Sequence, residues 1–176
     1  MKLITSFIFF VSILLSVASH ANELTQSDVD NIIKTAPFIV EWFDDNKGAL
    51  SKDAIKIVGD ATFDGSLHQA FGKVVENDEA ASAFFESTAT ANGFDSYKEF
   101  AILADRAYSI LAVNTMMSNE NIENVFEYLK LDSTPEDEKN RLEGYLPDMF
   151  ERFNADPKDL PIVLENFDSL KAELIR

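Results

Sequence analysis

Two adjacent charges, Asp105 and Arg106, interrupt an otherwise apolar run that includes Ala101, Ile102, Leu103, Ala104, Ala107, Tyr108, Ile110 and Leu111. They are the most specific polar feature of the sequence. A charge carried into an apolar interior must find a partner there, because an unpaired buried ion is strongly destabilising. Consecutive residues of a helix point about 100° apart, so the two cannot face each other and each is expected to reach a different neighbouring helix. The expected role is a pair of interhelical salt bridges that fix packing. The functional alternative is a charged floor to a pocket or interface, where the planar fork of Arg106 would meet a ligand carboxylate or phosphate.

Other chemistry has less to work with. Beyond residue 21 the chain holds one histidine, His68, and it has no cysteine anywhere. Thiol chemistry, disulfides and a zinc site built from grouped His and Cys are therefore not expected, and no metal or other cofactor is. His68 follows Asp64, Gly65, Ser66 and Leu67 on an amphipathic stretch, where a surface or half-buried imidazole is the ordinary outcome and a catalytic base the rarer one. The serine-nucleophile and phosphate-loop patterns are missing. The window Asp60 to Gly65 has acids at the first and fifth positions of a calcium loop and Gly at the sixth, but Thr62 stands at the third and Phe71 where the bidentate acid belongs. A helix-connecting turn capped by Asp64 is expected instead. Close acid pairs such as Asp44 with Asp45, or Glu136 with Asp137, carry little information, since 31 Asp and Glu are spread over the chain. A carboxylate-dependent hydrolase is the least favoured reading, and no enzyme is expected.

Charge and leader bound the setting. Residues 1–21 hold one of the 15 basic residues, Lys2, and none of the 31 acidic ones, so the remainder carries 14 against 31, a formal charge of -17. The run from Ile8 to Val17 is apolar, and Ser19, His20 and Ala21 place small residues where a signal peptidase reads them. The reading is a signal peptide at 1–21, cleavage after Ala21, and a single helical domain at 22–176 exported to a periplasm. Fourteen scattered basic residues at this net charge do not supply the phosphate contacts of a nucleic-acid binder. No segment beyond the leader offers the roughly 18 to 20 uninterrupted apolar residues of a membrane span.

The elements that must position these groups read as helices. From Leu24 onward apolar residues recur at three and four, and strand-type alternation is almost absent. The first helix opens at Thr25 with Asp28 three residues on, and Pro37 predicts a kink or break in it. Ile55 and Ile57 form the one run that resembles a strand. Helices follow over 66–76, from Asp78 through Phe84, Phe85 and Thr88 to Asn92-Gly93, and from Asp95 or Ser96 to about Met117; this last is apolar on nearly all sides and belongs in the middle. Three more are marked by Ile122, Val125, Phe126 and Leu129, by Leu142 to Phe153 entered through Thr134 and Pro135, and by Val163, Phe167, Leu170 and Leu174 in a helix that begins near Asp159. The fold class is all-α, a compact bundle of about seven helices around a central apolar helix at about 96–117.

The opening Leu24-Thr25 with Val29, Ile32, Ile33 and Pro37, and the block Gly93-Phe94, Ser96, Glu99-Phe100-Ala101, Ala104-Asp105-Arg106, resemble a group of small exported helical proteins of Gram-negative bacteria. The resemblance covers most of the chain in layout and is most distinctive over Gly93 to Arg106. It implies fold and compartment only; the group has no agreed activity and no catalytic residues to carry over.

Aromatic residues supply the remaining candidates. Twelve of the 15 Phe lie beyond residue 21, with Trp42 and four Tyr, and most fall on the core stripes. The stretch Pro37 to Phe43 is too continuously apolar for one stripe, and of the adjacent Phe84 and Phe85 one must point away from its helix's main contact. Such leftover surface marks partner or ligand sites. Trp42, Phe43, Phe85 and Arg106 are therefore the candidate binding residues, with Asp105 and Arg106 as buried polar structure. The expected function is binding of a protein partner by an acidic, soluble helical protein of the inhibitor, immunity, adaptor or chaperone type. The alternative is a carrier of a small apolar or amphipathic ligand.

Overall fold

The computed structural model describes residues 23–116 and 135–174, and every regular element among them is helical. In chain order these are α1 (Gln26–Asn46), α2 (Lys52–Asp64), α3 (Leu67–Val75), α4 (Glu79–Ala91), α5 (Tyr97–Met116), α6 (Glu136–Arg152), a 3-10 turn (Pro157–Asp159), α7 (Leu160–Glu165) and α8 (Phe167–Leu174). The helix expected around Ile122 to Leu129, the cap expected at Thr134 and the leader lie outside the described residues. The last expected helix is divided in two, α7 and α8, and is entered through the 3-10 turn.

Local chemistry sets these boundaries. The Thr25 hydroxyl accepts the Asp28 N–H at 3.2 Å while the Asp28 carboxylate accepts the Thr25 N–H at 2.8 Å, which together satisfy two of the open donors at the start of α1. Val29, Ile32, Ala36, Ile39 and Phe43 then form its fully buried stripe. The break expected at Pro37 does not occur: α1 runs through it. One backbone hydrogen bond is lost at the proline, but Ile32 and Ala36 before it and Ile39 and Phe43 after it are anchored in the same core, and that packing carries the helix across.

The strand-like Ile55 and Ile57 lie inside α2, which starts at Ser51, whose Oγ accepts the Ala54 N–H at 3.1 Å, and stops at Gly65. Gly65 adopts φ +77° there, and a Cβ at this position would clash with the Phe153 carbonyl oxygen and the Ser109 hydroxyl, so only glycine closes this turn. The expected cap by Asp64 is present, with its carboxylate accepting the Ser66 N–H at 3.0 Å.

Helix α5 is the centre of the fold and packs against α1, α3, α4, α6, α7, α8 and the 3-10 turn. Phe100, Ala104, Ala107, Ile110, Leu111 and Val113 on it are wholly buried. Alanines three apart at 101, 104 and 107 keep its surface shallow and let the neighbouring helices approach closely. α8 lies along α1, joined at its start by reciprocal bonds between the Gln26 and Asn166 side-chain amides at 3.2 and 3.1 Å.

Candidate functional site

Asp105 and Arg106 leave α5 in different directions, as their spacing predicts, and each organises a separate polar node. Asp105 is 3% exposed, and its carboxylate accepts four hydrogen bonds. The His68 N–H donates at 2.7 Å, the Gln69 N–H at 3.0 Å, the Gln69 side-chain amide at 3.1 Å, and His68 Nδ1 lies at 2.9 Å. The first two are the second and third residues of α3. Ser66, at the N-cap position, makes no side-chain cap, because its hydroxyl is turned to Asp64. Asp105 thus caps α3 from another helix, placing a negative charge at its positive end.

An acceptor surrounded by donors fixes the imidazole as well. With Nδ1 directed at the Asp105 carboxylate, Nε2 has no hydrogen-bond partner among the described residues. The ring is completely buried and is met edge-on by Phe71, Phe100 and Tyr108 at centroid distances of 5.6, 5.7 and 6.2 Å. The surface or half-buried histidine expected from sequence is therefore corrected: His68 is core. Its burial follows from Asp105, whose carboxylate needs donors that only the start of α3 brings within reach. Tyr97 donates its hydroxyl to the His68 carbonyl at 2.6 Å, and burial, followed by the Asp105 charge, raises the phenols of Tyr97 and Tyr108 and keeps them neutral. A carboxylate-oriented imidazole is the arrangement of a general base, but this ring offers no exposed edge to a substrate.

Arg106 turns to the other side. Its Nε and Nη2 donate to the two oxygens of Asp159 at 2.8 and 2.7 Å, and the Leu24 N–H donates to the same carboxylate at 2.8 Å. The carboxylate is fully buried while the Arg106 side chain is 15% exposed. Burial pushes the Asp159 carboxyl up; the Leu24 amide and Arg106 pull it back, and Asp156 adds to the rise. One of the two expected salt bridges is thus present, from α5 to the 3-10 turn, and the other is a cap and a histidine contact. The guanidinium fork meets a carboxylate of its own chain, so a ligand would have to displace Asp159.

The aromatic candidates separate by exposure. Phe43 and Phe85 are turned inward, 9% and 1% exposed. Phe43 stacks on Phe71 at 4.2 Å, and Phe85 meets Trp42 at 5.1 Å and Tyr97 at 5.0 Å. Trp42 is half-buried at the edge of this cluster. The outward rings are instead Phe38, 52% exposed, and Phe84, 38% exposed. Phe38 precedes Trp42 by one turn on α1, and Phe84 lies 6.1 Å from Phe85, so the outward rings flank the Trp42–Phe85 contact. Sequence reasoning named the two groups but not their exposed members; the i, i+4 relation between Phe38 and the half-buried Trp42 is the signal that could have found the first.

Among the described residues no group of three or more His, Asp or Glu is placed to hold a metal ion, and no helix is long and apolar enough to cross a membrane. The chain matches no protein-family model, no curated protein and no solved structure.

Proposed function

We propose that this chain is an exported periplasmic protein that acts by binding a protein partner through the outward aromatic face of α1 and α4. The observation that carries the reading is the exposure of Phe38 and Phe84 at 52% and 38% beside a buried aromatic cluster that neither is needed to fill. Large rings held on rigid helices lose little conformational entropy on binding, and they are the common anchors of protein interfaces. Glu41 and Asp45 stand exposed beside Phe38 and Trp42 and give the face an acidic rim, which suits a basic or neutral partner surface. The two internal polar nodes then hold the scaffold rigid under that face.

The carrier reading has less support, because the rings of Phe43, Phe71, Phe85, Tyr97 and Phe100 contact one another rather than lining a space between helices. The test places a photo-crosslinking residue at position 38 in the host periplasm and identifies what it captures. Phe38→Asp and Phe84→Asp are expected to weaken that complex by at least about tenfold while shifting stability by no more than about 0.5 kcal/mol, as for other exposed positions. Unchanged affinity in both variants overturns the assignment of this face.

A further inference from the structure

Two helix faces left open by the fold are complementary in charge, shape and register. On α1, Phe38, Glu41, Trp42 and Asp45 fall at i, i+3, i+4 and i+7 and share one face, on which Trp42 is half-buried and the other three are exposed. On α2, Lys52, Ile55, Lys56 and Gly59 have the same spacing and are all exposed, Ile55 at 52%. α2 turns its other side, Ala54, Val58 and Ala61, toward the body and packs on α3. A Cβ at Gly59 would meet nothing within 4 Å. None of Glu41, Asp45, Lys52 and Lys56 has an ion-pair partner among the described residues.

Laid antiparallel, the two faces match one to one. Phe38 falls opposite Gly59, Glu41 opposite Lys56, Trp42 opposite Ile55 and Asp45 opposite Lys52. A large ring meets a gap, an indole meets an aliphatic side chain, and two carboxylates meet two ammonium groups. We infer that the protein partner of the α1 face is α2 of a second copy of this chain, in a twofold dimer that makes this contact twice. The inference rests on the partner-binding reading given above and names the partner.

A single chain cannot close the same pairing on itself in this fold. Lys52, Ile55, Lys56 and Gly59 all remain exposed in the folded chain, and α2 packs on α3 rather than lying along α1. A twofold axis satisfies both open faces of both copies at once. The net charges of two copies repel, but at physiological ionic strength the Debye length is about 8 Å, so that repulsion is screened while contact pairs are not.

The experiment is sedimentation equilibrium of the mature chain at physiological salt, with charge-swap variants. Wild type is expected to dimerise. Lys52→Glu with Lys56→Glu on one chain, and Glu41→Lys with Asp45→Lys on another, are each expected to raise the dimer dissociation constant by at least about tenfold, and an equal mixture of the two to dimerise again. Gly59→Leu fills the gap opposite Phe38 without changing charge and is expected to weaken the dimer with the helix intact. Because the chain has no cysteine, Glu41→Cys chains mixed with Lys56→Cys chains should form a disulfide between copies. A wild type that is monomeric throughout, swap variants that dimerise as wild type does, or a disulfide that forms only within one chain carrying both cysteines would each overturn the self-pairing. A monomer whose crosslink at position 38 still captures another protein overturns only this inference; loss of the dimer in Phe38→Asp supports both readings.

Discussion

At the scale of the residue, two buried carboxylates tie together segments far apart in the chain. Asp105 satisfies two backbone donors of α3, the imidazole of His68 and the amide of Gln69. Asp105→Asn retains one acceptor oxygen and adds a donor where donors already crowd, so a loss of about 2–4 kcal/mol is expected in urea denaturation. Arg106→Ala leaves the Asp159 carboxylate buried with the Leu24 amide but without its cation, and an uncompensated buried charge costs about 3–5 kcal/mol. The pH dependence has a definite sign. The Asp159 carboxyl is raised by burial, so the folded state holds its proton more tightly than the unfolded state does, and unfolding free energy falls as pH rises through that window. Removing Arg106 removes a group that pulls the carboxyl down, and the window extends upward. The destabilisation by Arg106→Ala is therefore expected to be largest near neutral pH and to shrink on acidification as Asp159 protonates, which parallel denaturation series at the two conditions would show; a penalty that grows in acid would refute it.

At the scale of the element, helix ends and the central helix decide the architecture. The usual N-cap substitution costs about 1 kcal/mol, but Ser66 does not cap α3 with its side chain, so Ser66→Ala is expected to cost less than about 0.5 kcal/mol while Asp105→Asn costs several times more. Equal penalties in the two variants would mean that α3 is capped locally after all. Leu111 is wholly buried on α5, and Leu111→Asp places a charge in that interior. The domain is expected to lose its cooperative thermal transition; an unchanged midpoint would remove α5 from the centre. These elements also show how far a pattern can be read. The N-cap at Asp78, the capping box at Thr25 and Asp28, and the all-round apolar character of α5 are local in sequence and were legible there. The continuity of α1 through Pro37 was not, because distant packing outweighs the local preference there. The helicity of Ile55 and Ile57 was not, because both are exposed and the stripe that α2 turns inward, Ala54, Val58 and Ala61, is only weakly apolar.

At the scale of the whole molecule, a strongly acidic surface surrounds a core closed by aromatic contacts, and the exposed apolar groups are few: Phe38, Ile55, Ile57, Phe84, Ile102 and Tyr145 are the large ones described. Two of these, Phe38 and Ile55, lie on the faces matched above. The reading of residues 1–21 as a leader makes its own prediction: protein recovered from a periplasm should begin at Asn22, as N-terminal sequencing would show, and a chain beginning at Met1 there would refute the cleavage. Leu24 is buried and bound through its amide to Asp159, so the chain is anchored to the core from that residue on.

The amino-acid sequence by itself determined the helical class, the central place of α5 and the divergence of Asp105 from Arg106, because each follows from periodicity within one segment. Which groups those two charges meet was decided only by the tertiary structure. Asp105 and the start of α3 are 36 and 37 residues apart, and Arg106 and Asp159 are 53 apart. Asp159, one carboxylate among 31, looks like any other until packing selects it. The same holds for the rings: Phe84 and Phe85 are equivalent in composition, and the angle at which α4 lies on its neighbours turns Phe85 into the core and Phe84 to solvent. Identity and spacing tell which residues share a face, but the direction that face takes depends on contacts between segments far apart in the chain.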